Sequence, residues 1–249
     1  GHAPDAVEDV TPGLSAQSLA DMGFVQALQH AERIAALFAS PAAASLSERS
    51  KQRLLRVTGA FCRQCSQTRQ PDAGLETAVA FLQASIKRSS YIALRDEQPS
   101  SLQRVVQVFD ASPWMADRLI QHPFLLDELL DSRVIAGRLD ADQLVVRAAT
   151  LTAGHSGDIE NALLAMNEFK LSTSFKIAYQ FLFQGLSATD ASRLLTCLAE
   201  SVLQQCTRLA AEDLQRQHGC IADSGFAAIG YGSLGARSLS FNSDLDLVF

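Results

Sequence analysis

The chain has 249 residues, 47% of them hydrophobic, with 21 basic and 27 acidic side chains and a formal net charge of -6. This length can bury a sizeable core, and the negative charge argues against a nucleic-acid partner held on a broad basic surface. No run approaches the ~18 uninterrupted apolar residues that a membrane span needs, so we expect no membrane partner.

The N-terminal part is predicted to be a short leader followed by helices. Residues 1–15 contain two prolines and several acids, which indicates a flexible leader. From residue 16 to residue 219, apolar residues recur at spacings of three and four, which predicts a helical region. Its first helix is expected at about 16–39, and the second is expected to open at Ser47, whose hydroxyl can cap a first turn.

Prolines are predicted to mark the later helix starts. Pro71 separates the second helix from a third at about 73–95, and Pro99 opens a fourth. Ser112 and Pro113 combine an N-cap with proline at the first helical position, and Pro123 is predicted to start a helix in the same way.

The cysteines indicate a reducing compartment. There are five of them, an odd number, and no secretory signal precedes them, so we expect a cytoplasmic protein. Cys62 and Cys65 have the spacing of a zinc or redox pair, but no second pair or nearby histidine completes a tetrahedral set. We therefore interpret them as core residues of a helix and keep the zinc site as the alternative.

Two long helices are expected next, at about 158–183 and 188–217, with Gly219 ending the second. Each has an apolar stripe, and the two are predicted to pack antiparallel. The first stripe contains Leu163, Met166, Phe169, Thr173 and Ile177, and the second contains Leu195, Leu198, Val202, Cys206 and Leu209.

The pattern changes near residues 220–224, where we place a domain boundary. The apolar run that begins at Phe226 predicts a buried strand, and residues 245–249 predict its partner. The expected fold is mainly α: a long helical region, 16–219, is followed by the start of an α/β domain, 220–249, with two short strands.

A metal and phosphate signature lies in this last segment. Gly232 and Ser233 form a small-residue turn that lets backbone amides approach a polyphosphate, and the serine hydroxyl can donate to it. Asp244 and Asp246 are two apart, so on an extended strand their carboxylates share one face while Leu245 and Leu247 share the other. This pair is the candidate catalytic and Mg2+-binding site.

This order of strand, Gly-Ser turn, spacer and Asp-x-Asp resembles the DNA-polymerase-beta-like nucleotidyltransferase superfamily. The fuller segments 230–239 and 242–249 resemble the glutamine synthetase adenylyltransferase family more narrowly. Three upstream segments, 88–94, 111–116 and 122–131, look like the helical lead-in to the C-terminal half of that enzyme. The resemblance covers most of the chain from about residue 20.

The resemblance implies transfer of AMP from ATP to a tyrosine of glutamine synthetase, in the control of nitrogen assimilation. Asp244 and Asp246 would be the catalytic Mg2+ ligands, and Gly232 and Ser233 would hold the nucleotide phosphates. A PII-type signalling protein is a further implied partner. Two alternatives stay open: the deadenylylating half of the same enzyme, and a non-catalytic helical module that binds glutamine synthetase or a PII-type protein.

Three departures from the family pattern bear on activity. Ser233 stands where the family has lysine, and Ala236 stands where it has a second glycine, which limits a positive φ there. The third catalytic carboxylate of the superfamily is expected on a later strand, beyond Phe249. We therefore expect these 249 residues alone to be a truncated and inactive part of the enzyme.

Overall fold

A computed structural model describes residues 14–86, 99–131, 135, 137–155, 157–219 and 225–249. The chain divides into two compact units, Gly1–Asp131 and Ser132–Phe249. The described residues are mainly helical with one two-stranded sheet, which confirms the mainly α prediction. The expected boundary at 220–224 lies outside the described residues, as do residues 1–13 of the expected leader. Leu14 is buried, and Ser15 caps the first helix.

The first unit is helical throughout its described part. Its helices are α1 Ala16–Asp21, α2 Ala27–Ala39, α3 Pro41–Ala44, α4 Glu48–Cys65, α5 Pro71–Ser85, α6 Pro99–Ala111, α7 Pro113–Gln121 and α8 Leu125–Leu130. The Ser47 and Ser112 caps are confirmed, because each hydroxyl accepts a hydrogen bond from the N–H three residues later.

The single helix predicted for about 16–39 is wrong, because the chain forms α1 and α2 instead. Gly23 adopts φ +97, and the Phe24 N–H donates to Leu19 O at 3.1 Å, which closes the end of α1. Asp72 then accepts hydrogen bonds from the Gln26 N–H at 2.9 Å and the Val25 N–H at 3.3 Å. The cap before α2 therefore comes from the start of α5, far away in the sequence.

Two other predicted helix starts are also corrected. The third helix begins at Pro71 rather than at residue 73, because proline suits the first helical turn. It is described as far as Ser85, and residues 87–95 of the prediction lie outside the described part. Pro123 does not begin α8; it lies in a turn in which the Leu125 N–H donates to His122 O at 3.0 Å.

The core of the first unit surrounds three phenylalanine rings. Phe61 lies 6.3 Å from Phe81 and 6.2 Å from Phe109 between ring centroids, and all three side chains are buried. Cys62 and Cys65 are buried in α4 as well, and burial raises the pKa of each thiol to about 12. Both side chains therefore belong to the core, as expected from their interpretation as packed residues of a helix.

In its described part, the second unit has three long helices before the short sheet. Its elements are α9 Ala141–Ala153, α10 Ile159–Phe183, α11 Ala188–His218, β1 Ile229–Gly230, α12 Gly232–Gly235 and β2 Leu247–Val248. The long helices α10 and α11 pack against each other and against α9. Within the described ranges, no helix is long and apolar enough to cross a membrane.

The predicted stripe of α10 is confirmed except at its first position. Leu163 is 44% exposed, whereas Met166, Phe169, Thr173 and Ile177 are buried. The buried residue of that first turn is Ala162, which precedes Met166 by four positions and so lies on the same helical face. In α11, Leu195, Leu198 and Leu209 are buried, and Val202 and Cys206 are partly buried.

The same core extends to the segment that carries the predicted site. Leu234 of α12 and Leu239 are 5% and 4% exposed and belong to the apolar cluster formed by α9, α10 and α11. Leu247 packs against this cluster too. The helices thus hold the Gly-Ser turn and one end of β2 in place.

Candidate functional site

The two strands bring the ends of the predicted signature together. β1 and β2 are antiparallel, with Ile229 opposite Val248 and Gly230 opposite Leu247. Beyond the paired residues, the Tyr231 N–H donates to Asp246 O at 2.9 Å. The chain leaving β1 and the chain entering β2 therefore lie side by side, so that the Gly-Ser turn is next to the Asp-x-Asp segment.

Gly232 makes the closest approach to the acidic segment. Its φ is +54, and a β-carbon at this position would collide with Asp246 Oδ2 and would lie 3.4 Å from Cγ. The positive φ strains any residue other than glycine, and a β-carbon would also push the exposed carboxylate of Asp246 aside. The structure thus brings two of the four predicted site residues, Gly232 and Asp246, into direct contact.

Ser233 lies in the first turn of α12, next to Gly232. Its side chain is half-buried, and its carbonyl accepts a hydrogen bond from the Ser238 N–H at 2.9 Å. The backbone of Gly235 lies close to that of Gly230: a β-carbon on Gly235 would be only 2.5 Å from Gly230 O. The position of Ser233 is therefore fixed by buried neighbours and by close backbone packing.

Asp244 follows a turn that two serines close. The Ser240 N–H donates to Ser243 Oγ at 2.9 Å, and the Ser243 N–H donates back to Ser240 O at 3.2 Å. Asp244 and Asp246 are both exposed and both precede β2, which begins at Leu247. The predicted common face of the two carboxylates stays a prediction, since neither residue lies within the strand itself.

The predicted burial of the first strand is wrong. Phe226 and Ile229 are both exposed, as is Val248 opposite Ile229. The pattern of the run is apolar, but in the described ranges the sheet has only two strands, which leave these side chains uncovered. Leu245 is exposed as well, although Leu247 packs on the helices.

The donor set suits a hard cation. The oxygens of Asp244 and Asp246 are open to solvent, and Gly232 leaves room for the carboxylate of Asp246 beside the turn. In the part of the chain that the structure describes, no three His, Cys, Asp or Glu side chains converge as a metal cage. Two carboxylates nevertheless fit Mg2+, which is usually bound by one or two carboxylates together with substrate phosphates and water.

The sequence leaves a phosphate contact and a solvent-exposed position equally open for Arg237, and the structure gives this residue an unusual geometry. It has φ +53, a left-handed conformation that costs a non-glycine residue about 1 kcal/mol. Its guanidinium Nη2 lies 3.5 Å from Oε1 of Glu200 on α11. No local signal in the Ala-Arg-Ser sequence predicts a left-handed residue, because glycine and asparagine are its usual markers.

Ala236, in contrast, adopts ordinary right-handed helical angles, with φ -79 and ψ -3. The expected restriction of alanine to negative φ therefore does not affect the turn, because the residue with positive φ is Arg237, not Ala236. Replacement of the family's second glycine by alanine is compatible with the observed backbone.

Comparison with known proteins gives a consistent result. The family model for glutamate-ammonia ligase adenylyltransferase matches residues 102–249. Curated relatives carry the name bifunctional glutamine synthetase adenylyltransferase/adenylyl-removing enzyme. The one from Xanthomonas axonopodis pv. citri is 42% identical in an alignment of 251 positions, which covers 99% of this chain and 26% of the relative.

More distant relatives have the same name. The Pseudomonas putida protein is 34% identical over 245 residues, or 94% of this chain and 25% of its own length. The Thioalkalivibrio sulfidiphilus protein is 33% identical over 240 residues, or 93% of this chain and 25% of its own length. The chain thus spans about a quarter of the length of these relatives.

Proposed function

The chain belongs to the glutamate-ammonia ligase adenylyltransferase family, and from this premise we propose that it forms part of an enzyme that transfers AMP from ATP to a tyrosine of glutamine synthetase. Its helices are the lead-in, and the segment from β1 to β2 is the first part of the catalytic centre. The main support is the contact between Gly232 and Asp246, which joins the phosphate-binding and acidic halves of the signature.

The Gly-Ser turn holds the leaving end of the nucleotide. Gly232 has no side chain, so the backbone of the turn can lie close to the β- and γ-phosphates. Ser233 donates its hydroxyl to the same phosphates. Because Leu234 anchors α12 in the core, the turn keeps its shape without the nucleotide and needs little reorganisation on binding.

The two aspartates are the metal ligands of the site. When bound there, Mg2+ neutralises charge on the triphosphate and favours the oxyanion of the attacking hydroxyl. A tyrosine hydroxyl titrates near ~10 and is a poor nucleophile without such help. Asp246, which lies beside Gly232, would keep the metal next to the phosphate-binding turn.

The test uses the full-length protein that contains this chain. It is incubated with Mg-ATP and glutamine synthetase, and mass spectrometry measures AMP on tyrosine. The double variant Asp244→Asn with Asp246→Asn is expected to abolish transfer, whereas the exposed Asp142→Asn in α9 serves as the matched control. Transfer at the normal rate in the double variant would refute the metal assignment.

The direction of the reaction requires its own measurement. The names of the relatives include both an adenylyltransferase and an adenylyl-removing activity, and we propose that this chain belongs to the adenylylating half. Adenylylated glutamine synthetase is therefore incubated with phosphate and the two full-length forms, wild type and double variant. Phosphate-dependent loss of AMP that requires Asp244 and Asp246 would assign the site to removal instead.

A non-catalytic binding role is the second candidate. Its support is Ser233, which stands where the resembling family has lysine. This role predicts that the chain binds glutamine synthetase or a PII-type protein without nucleotide. Light scattering or surface plasmon resonance would detect such binding, and association of the wild-type full-length protein that shows no AMP transfer would favour this role.

A further inference from the structure

Arg237 is the only basic side chain in the segment that forms the candidate site. Between residues 219 and 249 the sequence contains no other Lys, Arg or His, whereas it contains Asp244 and Asp246 close to the Gly-Ser turn. A polyphosphate brought to this turn adds further negative charge. A cationic side chain at this turn would therefore stabilise the bound phosphates in addition to any metal.

The backbone of Arg237 is in an unfavourable conformation. Among the described residues it is the one non-glycine with a positive φ, at +53. Glycine would adopt this conformation without steric strain. Strain of this kind concentrates at functional sites. Because glycine would fit this backbone better, the presence of arginine points to a role for its side chain.

The turn presents this side chain from a fixed backbone. The Arg237 N–H donates to Leu234 O at 3.0 Å, and the next N–H, that of Ser238, donates to Ser233 O at 2.9 Å. Leu234 and Leu239, on either side of Arg237, are buried in the core of the unit. The guanidinium thus starts from a backbone that is hydrogen-bonded to Leu234, and the next residue, Ser238, is hydrogen-bonded to the predicted phosphate-binding Ser233.

Glu200 is the ion-pair partner of Arg237 in this structure, and Arg237 can leave this partner at little cost because the pair is exposed. The two side chains are 76% and 47% exposed, and the guanidinium and carboxylate are 3.5 Å apart. Such an exposed pair contributes little to stability. A phosphate can instead accept two parallel hydrogen bonds from one guanidinium, which is a stronger contact.

We propose that Arg237 binds the β- and γ-phosphates of a nucleoside triphosphate, and that its side chain moves from Glu200 to these phosphates when the nucleotide binds. The inference rests on the proposed function for its substrate. Arg237 would supply positive charge near the turn, which Ser233, standing where the family has lysine, does not provide.

The test measures binding of Mg-ATP and of AMP to the full-length protein by isothermal titration calorimetry. Arg237→Gly fits the observed φ, so it is expected to fold and to melt no earlier than wild type. It should bind ATP about tenfold more weakly, since a charge-assisted phosphate contact is lost. Affinity for AMP, which has no β- or γ-phosphate, should stay unchanged, and Arg237→Lys should recover part of the ATP affinity.

Glu200→Gln is the matched control, because it removes the ion pair but keeps the guanidinium. It is expected to bind ATP at least as tightly as wild type. The inference is overturned if Arg237→Gly binds ATP normally or loses affinity for ATP and AMP equally. It is also overturned if Glu200→Gln lowers the ATP affinity as much as Arg237→Gly does. In each of these cases the proposed function stands. Failure of the wild-type protein to bind Mg-ATP would instead overturn the proposed function and this inference with it.

Discussion

The carboxylate of Asp246 lies against the α-carbon of Gly232, in the space that a side chain on residue 232 would occupy. The two residues are 14 positions apart in the sequence, and the pairing of β1 with β2 brings them together. This contact places a potential metal ligand at the turn that would hold the nucleotide phosphates.

We expect Gly232→Ala to abolish most of the transfer activity of the full-length enzyme. The new β-carbon would displace Asp246, and alanine would be strained at φ +54. A shift of about 1 Å in a positioned group can lower a rate by roughly 100-fold. Activity is measured as AMP incorporation into glutamine synthetase.

Gly225→Ala is the control for this change. A β-carbon at residue 225 meets no atom within 4 Å, so we expect normal activity. A Gly232→Ala enzyme that works as well as this control would contradict the assigned geometry.

Restoring the family's glycine at residue 236 is expected to weaken the fold. Ala236 has right-handed angles, so Ala236→Gly adds only freedom to the unfolded chain and should lower the free energy of unfolding by about 0.5 kcal/mol. Arg237→Gly should change it by about the same amount in the opposite direction, because it relieves a left-handed residue. Urea unfolding of the two variants gives the signs, and equal signs would contradict the backbone assignment.

In the first unit, Asp72 is expected to make stability depend on pH. Burial raises the pKa of this carboxyl, but the N–H groups of Gln26 and Val25 and the ring of His30 outweigh that effect and hold the pKa below its ordinary value. A depressed folded-state pKa means that the stabilisation is fully present above the unfolded-state pKa of ~3.9 and is lost as the pH falls through the folded-state value.

Asp72→Asn should therefore lower the free energy of unfolding at pH 7 by about 1 kcal/mol, a value kept small because the carboxylate is partly exposed to solvent. The difference from wild type should shrink as the pH falls below 4. Thermal unfolding between pH 7 and pH 3 measures both effects, with the exposed Asp117→Asn as control. A difference that does not change with pH would rule out the carboxylate charge as its cause.

In the second unit, Thr152 is expected to stabilise a buried polar network. Its hydroxyl lies 2.8 Å from Gln205 Oε1 and accepts a hydrogen bond from Arg208 Nη2 at 2.8 Å. Thr152→Val keeps the shape but leaves buried polar atoms without this partner, so we expect a loss of about 2 kcal/mol.

Thr150→Val is the matched control on the same helix. Thr150 is exposed, and its hydroxyl donates only to the carbonyl of Val146 in the preceding turn, so the expected change is below about 0.5 kcal/mol. Chemical denaturation compares the two variants. Equal losses would show that the buried network does not account for the effect.

Much of the helical scaffold could be predicted because its signals are local. Ser47 and Ser112 cap helices through their own hydroxyls, and the Met166 to Ile177 stripe follows from the helical period. The break between α1 and α2 was not predicted, because Asp72 caps α2 from a distant part of the chain. Burial of Phe226 and Ile229 was predicted wrongly for a related reason: an apolar run does not specify whether another element covers it.

For the candidate site, the chemical groups and their spacing follow from the sequence alone: a Gly-Ser turn is followed by two aspartates that lead into a strand. The contact of Gly232 with Asp246, and the left-handed backbone of Arg237 with its guanidinium near Glu200, are visible only in the folded chain. The first set depends on covalent order and local backbone preference. The second depends on strand pairing and on the burial of Leu234 and Leu239 against the helices, which are contacts between residues that the sequence separates.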